Sequence, residues 1–399
     1  MIHLNEDQER ILHEAVSTIR KGNEQVYEYE GKAGTGKTFL AKEICKALNL
    51  DPERVLPMAY TGAAGSVLRK KGFYNATTLH RGLYHPEEVP NPKYKDSKID
   101  HQFGVPEEPK TIIKFIPKEK LENIDLIVID EGYMCPMYMR PIIEKFGIPV
   151  LVTGDRHQLP PIGDGPAYLW KDNLPSLKQI MRQEETNPIV HIANMILENK
   201  PINCGLYGNK VLVIPSDKLT DGMILNSNMV VCGRNVTRDY WNNRVREILN
   251  HRTLLPEFGE RVICRKNNHL IEKDGIELSN GLIGYCVNQP ADSFTSKTSF
   301  SMDFLPDISF NPFKDLTCDY EYFTASPQIR LKYNNPFSKG ERFEFAYCIT
   351  THLAQGSETE QGVYIKEYLR SDIQQALDYT AVTRFKKFLI MVVPQRRFY

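Results

Sequence analysis

The chain has no long apolar run, no closely paired cysteines and no excess charge of either sign, and each absence closes off a class of function. Without a stretch near the roughly 20 apolar residues that span a bilayer, no membrane-crossing segment and no membrane partner is expected. Eight cysteines stand far apart with no C-x-x-C pair, which argues against structural zinc and favours a reduced, cytosolic setting. Fifty Lys and Arg balance fifty Asp and Glu, so any nucleic-acid surface has to be a local basic track rather than a global field. The opening residues Met1-Ile2-His3-Leu4-Asn5-Glu6-Asp7 have no signal-peptide character. Internal repeats and low-complexity tracts are missing as well. What remains is a globular composition, 41% apolar and 25% charged, in 399 residues, enough for two or three domains.

Against that plain background one string stands out. Residues 31–38 read Gly-Lys-Ala-Gly-Thr-Gly-Lys-Thr, a Walker A loop. Its context supports the reading. The β-rich run Val26-Tyr27-Glu28-Tyr29-Glu30 precedes it, and Phe39-Leu40-Ala41-Lys42-Glu43-Ile44 continues it with helical periodicity. Glycines at 31, 34 and 36 let backbone N–H groups, including those around Thr35, curl about phosphate oxygens where a β-carbon would obstruct the approach. Lys37 would neutralise the β- and γ-phosphates and Thr38 would ligate Mg²⁺. A nucleoside triphosphate is the expected ligand.

Strand-like and helical segments alternate around the loop, the mark of an open α/β sheet. Strands are predicted at 54–60, 124–129 and 148–153, and a helix at 63–71. Residues 84–118 break the pattern with six prolines (Pro86, Pro90, Pro92, Pro106, Pro109, Pro117) and dense charge, which suits an inserted hairpin and not a sheet core. A second α/β unit follows, with helices at 188–199 and 237–249 and strands at 229–232, 345–350 and 388–393. Residues 285–342 interrupt it with a stretch rich in Phe, Tyr, Ser, Asp and Pro, read as a small all-β module.

Asp130-Glu131 closes the apolar run Ile124-Asp125-Leu126-Ile127-Val128-Ile129, where a Walker B pair should sit at the end of a buried strand. Asp130 would hold the Mg²⁺ shell and Glu131 would deprotonate the attacking water. The next strand ends in Thr153-Gly154-Asp155-Arg156-His157-Gln158-Leu159-Pro160-Pro161-Ile162-Gly163. Gln158 is placed to bond the γ-phosphate or the lytic water, and so to report whether the triphosphate is intact.

In order and wording these motifs resemble those of superfamily 1 DNA helicases of the RecD/Dda type, close to the Dda-like phage enzymes. Leu4-Asn5-Glu6-Asp7-Gln8 is similar to the adenine-reading Q motif, with Gln8 the contact. Tyr60-Thr61-Gly62-Ala63-Ala64 and Thr77-Thr78-Leu79-His80 resemble motifs Ia and Ib, which touch single-stranded DNA. Residues 154–163 resemble motif III. Ile180-Met181-Arg182-Gln183 resembles motif IV, in which Arg182 would reach the γ-phosphate. Thr351-His352-Leu353-Ala354-Gln355-Gly356-Ser357 resembles motif V, and Tyr379-Thr380-Ala381-Val382-Thr383-Arg384 resembles motif VI, with Arg384 the arginine finger. The likeness runs from residue 4 to residue 393. Two positions depart from the family's wording, Gly132 where Ala or Ser is usual and Phe385 where Ala is usual.

The resemblance implies two RecA-like P-loop domains with parallel sheets, a small β-hairpin insertion and a small SH3-like all-β insertion. The first domain would take residues 1–83 and 119–185, the hairpin 84–118, the second domain 186–284 and 343–399, and the all-β insertion 285–342. ATP and Mg²⁺ would lie between the domains, and a single strand would cross Thr61, Thr78, His80, Thr351 and His352. Such hydroxyl and imidazole groups suit sequence-blind phosphate contacts. The runs Arg69-Lys70-Lys71 and Lys386-Lys387 would add positive potential, and Phe103 would tip a separation pin or anchor the hairpin's foot. The implied activity is ATP-driven unwinding with 5′→3′ movement, on single-stranded and on forked or tailed duplex DNA. The resemblance points to replication, recombination or repair without choosing between them, and it implies the cytoplasm of a phage's bacterial host, with single-stranded-DNA-binding or replisome proteins as expected partners. Two other readings share parts of this machinery, a translocase that strips proteins from DNA and unwinds poorly, and a non-catalytic loader subunit.

Overall fold

The computed structural model describes residues 4–90, 111–179, 187–290, 298–333, 340–369 and 371–395. The first helix, Glu6–Lys21, shows why the chain is helical there. Asn5 and Gln8 form a capping box, acidic residues occupy the first turn, Arg20 and Lys21 occupy the last, and Gly22 ends it in the left-handed region. Ile11 and Ala15 on its buried stripe face the core.

Two six-stranded sheets carry the molecule. In the first, all strands are parallel and the order is Thr77–Thr78, Val55–Ala59, Leu126–Ile129, Val150–Gly154, Val26–Gly31 and Ser176–Leu177. Alternation along a strand sends side chains to opposite faces. Leu126, Val128 and Leu151 therefore meet Ile11, Leu40 and Ile44 on one side. Ile127, Ile129, Val150 and Val152 meet Leu79, Leu83, Met139 and Ile143 on the other. Each such side chain, fully buried, contributes about 1.5–3 kcal/mol. This is a parallel sheet with helices on both faces, and its carboxyl edge holds the P-loop.

The second sheet runs Cys348–Thr350, Met229–Cys232, Thr359–Ile365, Phe385–Val393, Val211–Pro215 and Gly205–Tyr207. Only the last pairing is antiparallel. The helices Pro188–Leu197 and Ser371–Val382 cover one face, and Asn235–Ile248 covers the other. The two parallel sheets are the two RecA-like α/β domains that the motif order implies.

A five-stranded antiparallel sheet interrupts the second domain, in the order Phe313–Asp319, Ser299–Pro306, Ile283–Cys286, Arg261–Cys264 and Phe343–Phe345. Its strands extend beyond residues 285–342 on both sides, because the flanking strands are only three or four residues long and too short to display a period. The expected strand at 345–350 is in fact two strands in two sheets. Phe343–Phe345 pairs antiparallel with Arg261–Cys264, and Cys348–Thr350 then pairs in parallel with Met229–Cys232. Both halves are largely buried, and the apolar run Phe345-Ala346-Tyr347-Cys348-Ile349 carries no mark of the change. The switch is pinned at Ala346, whose N–H donates to the Arg261 carbonyl (2.9 Å), and at Tyr347, whose carbonyl accepts from Val230 N–H (3.1 Å).

Two hairpins complete the frame. Tyr84–Pro90 and Thr111–Pro117 pair in register from Tyr84↔Pro117 to Pro90↔Thr111. The other, Asn268–Lys273 with Ile276–Leu278, leans onto the first domain. There Arg81 pairs with Glu272 (2.6 Å) and Glu277 (3.2 Å), and Arg69 donates to the Gly275 carbonyl (2.7 Å).

Candidate nucleotide and nucleic-acid site

The P-loop leaves Val26–Gly31 and enters the helix Lys37–Ala47 through Gly34 and Gly36, at φ of 80° and 82°, a conformation glycine adopts without strain. Thr35 is buried and its hydroxyl bonds the Lys32 carbonyl (2.8 Å). Tyr29 fixes the helix start by donating its hydroxyl to the Lys37 carbonyl (2.7 Å). Lys37 Nζ lies against the Lys32 carbonyl (3.2 Å), within the loop. Gln8 is buried. Its amide donates to the Thr35 carbonyl (3.4 Å) while its oxygen accepts from Asn5 N–H (3.1 Å), so it braces the P-loop as well as capping its own helix.

Thr38 Oγ1 donates to Asp130 Oδ2 at 2.9 Å, and both groups are buried. A hydroxyl beside one carboxylate fits Mg²⁺, which keeps several waters and completes its shell with phosphate oxygens. Among the described residues no group of three or more His, Cys, Asp or Glu gathers to hold another metal. Glu131 follows in the left-handed region (φ 52°). Burial raises its pKa, Asp130 and Asp155 push the same way, and Lys37 and Arg384 oppose them. A carboxylate so placed is a stronger base than one in water. The departure at Gly132 has a physical reason here. A β-carbon at this position would lie 2.3 Å from Val152 Cγ1, so the turn that presents Glu131 has no space for alanine.

The loop after Val150–Gly154 brings the second domain in. Asp155 is fully buried; desolvation alone would raise its pKa, but His157, Lys37 and Tyr379 hold it below the usual carboxylate range. Gln158 accepts from Arg384 Nη2 at 3.2 Å, with both side chains buried. Leu159 N–H donates to the Thr380 hydroxyl (3.0 Å), and its carbonyl accepts from Gln355 (2.6 Å). Phe385, the other departure, is buried with its ring against the position a Gly362 β-carbon would take.

The structure thus gathers Lys37, Thr38, Asp130, Glu131, Gln158 and Arg384 at one cleft, with Gln8 behind the loop. Arg182 and Phe103 lie outside the described residues.

The residues expected on a DNA path divide. Thr61 and Thr78 are half-buried and use their hydroxyls as helix caps, accepting from Ala64 N–H (3.1 Å) and Arg81 N–H (3.3 Å). His80 is half-buried in a ring cluster, stacked on Tyr84 at 5.8 Å and tilted to Tyr60 at 6.1 Å. Tyr138, half exposed, reaches its Nε2 at 3.5 Å. Thr351 corrects the expectation of a strand contact. Its side chain is wholly buried and its hydroxyl donates to the Cys232 carbonyl (3.1 Å). His352 is half-buried, and burial lowers its pKa.

The basic runs also serve other ends than a phosphate track. Arg69 is tied to Gly275, Lys386 pairs with Glu358 (2.5 Å) and Lys387 with Glu360 (2.6 Å). Lys71 sits at the nucleotide cleft, 3.5 Å from Thr38 Oγ1 and 3.5 Å from Glu358. Desolvation works against its charge, but Glu358, Asp130 and Glu131 together raise its pKa. Sequence reasoning counted Lys71 only as part of a basic run, because the partner that places it at the cleft lies 287 positions later. It also passed over Tyr379, although the residue stands inside the string resembling motif VI.

A P-loop at the carboxyl edge of one RecA-like sheet, answered by a buried arginine from a second, defines a P-loop NTPase of two RecA-like domains. Residues 3–210 match the family model described as an AAA domain, and the chain belongs to that family. Among curated proteins it is 28% identical over 178 residues to the ATP-dependent DNA helicase PIF1 of Trypanosoma brucei brucei. It is 32% identical over 149 residues to the DNA replication ATP-dependent helicase/nuclease DNA2 of Saccharomyces cerevisiae. These matches take in 41% and 33% of this chain, and only 15% and 10% of those relatives. Solved structures share the fold over nearly the whole length. One is of two coordinating Pif1 helicases at forked double-stranded DNA (TM-score 0.57, 16% identity, 99% of this chain and 95% of that one). Another is of Bacteroides Pif1 bound to single-stranded DNA (TM-score 0.56, 16% identity, the same coverage).

Proposed function

We propose that this protein is an ATP-dependent DNA helicase of superfamily 1, RecD/Dda type, moving 5′→3′ on single-stranded DNA and unwinding forked or tailed duplexes. One observation carries the reading. Arg384 of the second domain meets Gln158 of the first at 3.2 Å, beside the P-loop cleft, so the hydrolytic machinery is complete only when the two domains close on each other. A motor needs that coupling, because hydrolysis removes the phosphate oxygens that hold such an arginine and lets the cleft reopen. The curated relatives named for helicase activity, and the Pif1 structures with single-stranded and forked DNA, support it.

In this scheme Lys37 and the loop N–H groups of Gly34, Thr35 and Gly36 bind phosphates, Gln8 reads the base, and Thr38 and Asp130 hold Mg²⁺. The bound Mg²⁺ would supply charge neutralisation at the β- and γ-phosphates. Glu131 takes the proton of the attacking water, Gln158 orients it, and Arg384 with Arg182 stabilises charge on the transferring phosphoryl group. Thr61, Thr78, His80 and His352 line the strand's path, and Phe103 is the pin. The domain limits, 1–83 with 119–185 for the first domain and 186–284 with 343–399 for the second, follow the same scheme, and its setting is the cytoplasm of a phage's bacterial host. Among the described residues no helix is long and apolar enough to cross a membrane.

The test is steady-state ATP hydrolysis with and without single-stranded DNA, using Lys37→Ala as the blank. Stimulation of about ten-fold or more, lost in the variant, is expected for a DNA-coupled motor that stabilises the transition state through a closing cleft. Strand separation on 5′-tailed but not 3′-tailed duplexes then fixes direction. Hydrolysis indifferent to DNA would refute the reading, and protein displacement without strand separation would favour the translocase.

A further inference from the structure

The helix Ser371–Val382 of the second domain carries a tyrosine whose hydroxyl bonds two loops of the first domain at the nucleotide site. Tyr379 OH donates to Asp155 Oδ2 at 2.6 Å and accepts from the P-loop N–H of Ala33 at 3.1 Å. Its ring is 1% exposed and stands 6.0 Å from that of His157. The three bonded residues come from three places in the chain, the phosphate loop, the loop after Val150–Gly154, and the second domain. Asp155 also accepts from His157 N–H (3.0 Å), so the acceptor is held before the tyrosine arrives.

We propose that Tyr379 is the positioning residue that sets domain closure, clasping the P-loop and the Asp155 loop to the helix that delivers Arg384. This rests on the helicase reading for its biological meaning, but not for its geometry. A phenol suits the task because one oxygen both donates and accepts, so a single group satisfies a carboxylate and a backbone N–H in a buried place. Burial and the neighbouring carboxylate push the phenol's pKa far up, so it stays a neutral donor at any working pH. The next residue adds a parallel tie, Thr380 Oγ1 to Leu159 N–H at 3.0 Å, and Arg384 lies one helical turn beyond, bonding the Thr380 carbonyl with Nε (3.0 Å). Closure therefore registers the finger against Gln158 through contacts made by the helix that ends just before it. An arginine on a long flexible stem gains little from proximity unless its base is fixed.

The test separates the hydroxyl from the ring. Tyr379→Phe keeps the packing and removes both bonds, and an unchanged melting temperature within a few degrees would confirm an intact fold. Among the eight cysteines Cys204 alone is exposed, and Tyr74 is 84% exposed on the first domain. Dyes on Cys204 and on Tyr74→Cys then report the cleft by energy transfer, with no need for activity. In the nucleotide-free protein Tyr379→Phe is expected to change the transfer efficiency toward a wider, broader distribution. It is also expected to lower kcat for ATP about ten-fold, the scale of one lost hydrogen bond to a charged group, with KM within two-fold. Combined with Asp155→Asn, the loss should be well short of the product of the two.

Unchanged transfer would overturn the proposal, whether kcat falls or not, since closure would then not depend on the hydroxyl. A wild-type protein that hydrolyses no ATP would sink the helicase reading and leave the transfer measurement to decide this one.

Discussion

Replacing Arg384 with alanine tests the cleft most directly, because the structure separates what the side chain does for stability from what it does for rate. Its guanidinium makes four hydrogen bonds, to the carbonyls of Thr380 (3.0 Å) and Ser357 (3.2 Å), to Thr383 Oγ1 (3.2 Å) and to Gln158 Oε1 (3.2 Å). Three of these stay within its own domain and one crosses. At about 1 kcal/mol net for each bond, truncation should cost about 2–4 kcal/mol of stability, most of it local to the second domain. The rate effect is larger in consequence. Arginine fingers contribute about 10³–10⁵ in turnover, and three decades correspond to about 4 kcal/mol of transition-state stabilisation. Arg384→Ala should therefore lower kcat by about a thousand-fold while KM for ATP changes little, because the lost contact forms with charge that develops in the transition state. Arg384→Lys keeps a charge but not the planar fork, and should recover only part of the loss. Steady-state ATP hydrolysis at saturating single-stranded DNA, well below the melting transition, measures both constants, and urea unfolding measures the stability term separately. A kcat within ten-fold of wild type in a folded Arg384→Ala protein would refute the reasoning. So would full additivity with Gln158→Ala, since residues in direct contact should couple.

Thr38→Val removes the hydroxyl beside Asp130 and should raise the Mg²⁺ concentration needed for half-maximal ATP hydrolysis about ten-fold or more, read by Mg²⁺ titration at fixed ATP. Arg246 grips the fully buried Glu260 with Nε at 2.8 Å and Nη2 at 3.1 Å. Arg246→Leu should thus destabilise by about 3–5 kcal/mol in urea, while the double variant with Glu260→Leu regains most of it. Burial would raise the pKa of Glu344, but Arg265, Arg238, Tyr322 and Arg330 hold it below its ordinary value of 4.5. Its contribution is therefore fully present above pH 4.5 and lost as pH falls through the lowered value. Glu344→Gln should flatten the acid side of the stability–pH curve measured by urea unfolding, and an unchanged acid slope would show that the group is not paired as described.

How much of this was legible beforehand depends on how local each signal is. Gly31, Gly36, Lys37 and Thr38 are consecutive or nearly so, and the strand and helix around them have clear periods, so the phosphate loop could be read outright. Asp130 and Glu131 were legible because four buried apolar residues precede them in a strand too short and too hydrophobic to be anything but central. The caps at Thr61 and Thr78 had helix-start signatures, yet nothing local shows that their hydroxyls are occupied by backbone. Lys71 read as one of three basic residues in a row; only the return of Glu358 to the same cleft gives it a role. The change of sheet between Phe345 and Cys348 was invisible for a different reason, since both environments bury apolar side chains and leave the same pattern. Short strands such as Phe343–Phe345 take their identity from their partners rather than from their own residues.

That crossing between sheets has a mechanical meaning. Only Ala346 and Tyr347 separate the small antiparallel sheet from the strand that leads into Thr351–Ala354, and both are bonded through the backbone. There is no slack in such a link and no joint to bend. A load applied to the small sheet would reach Thr351–Ala354 through two residues that are themselves bonded, as in a lever welded to its shaft.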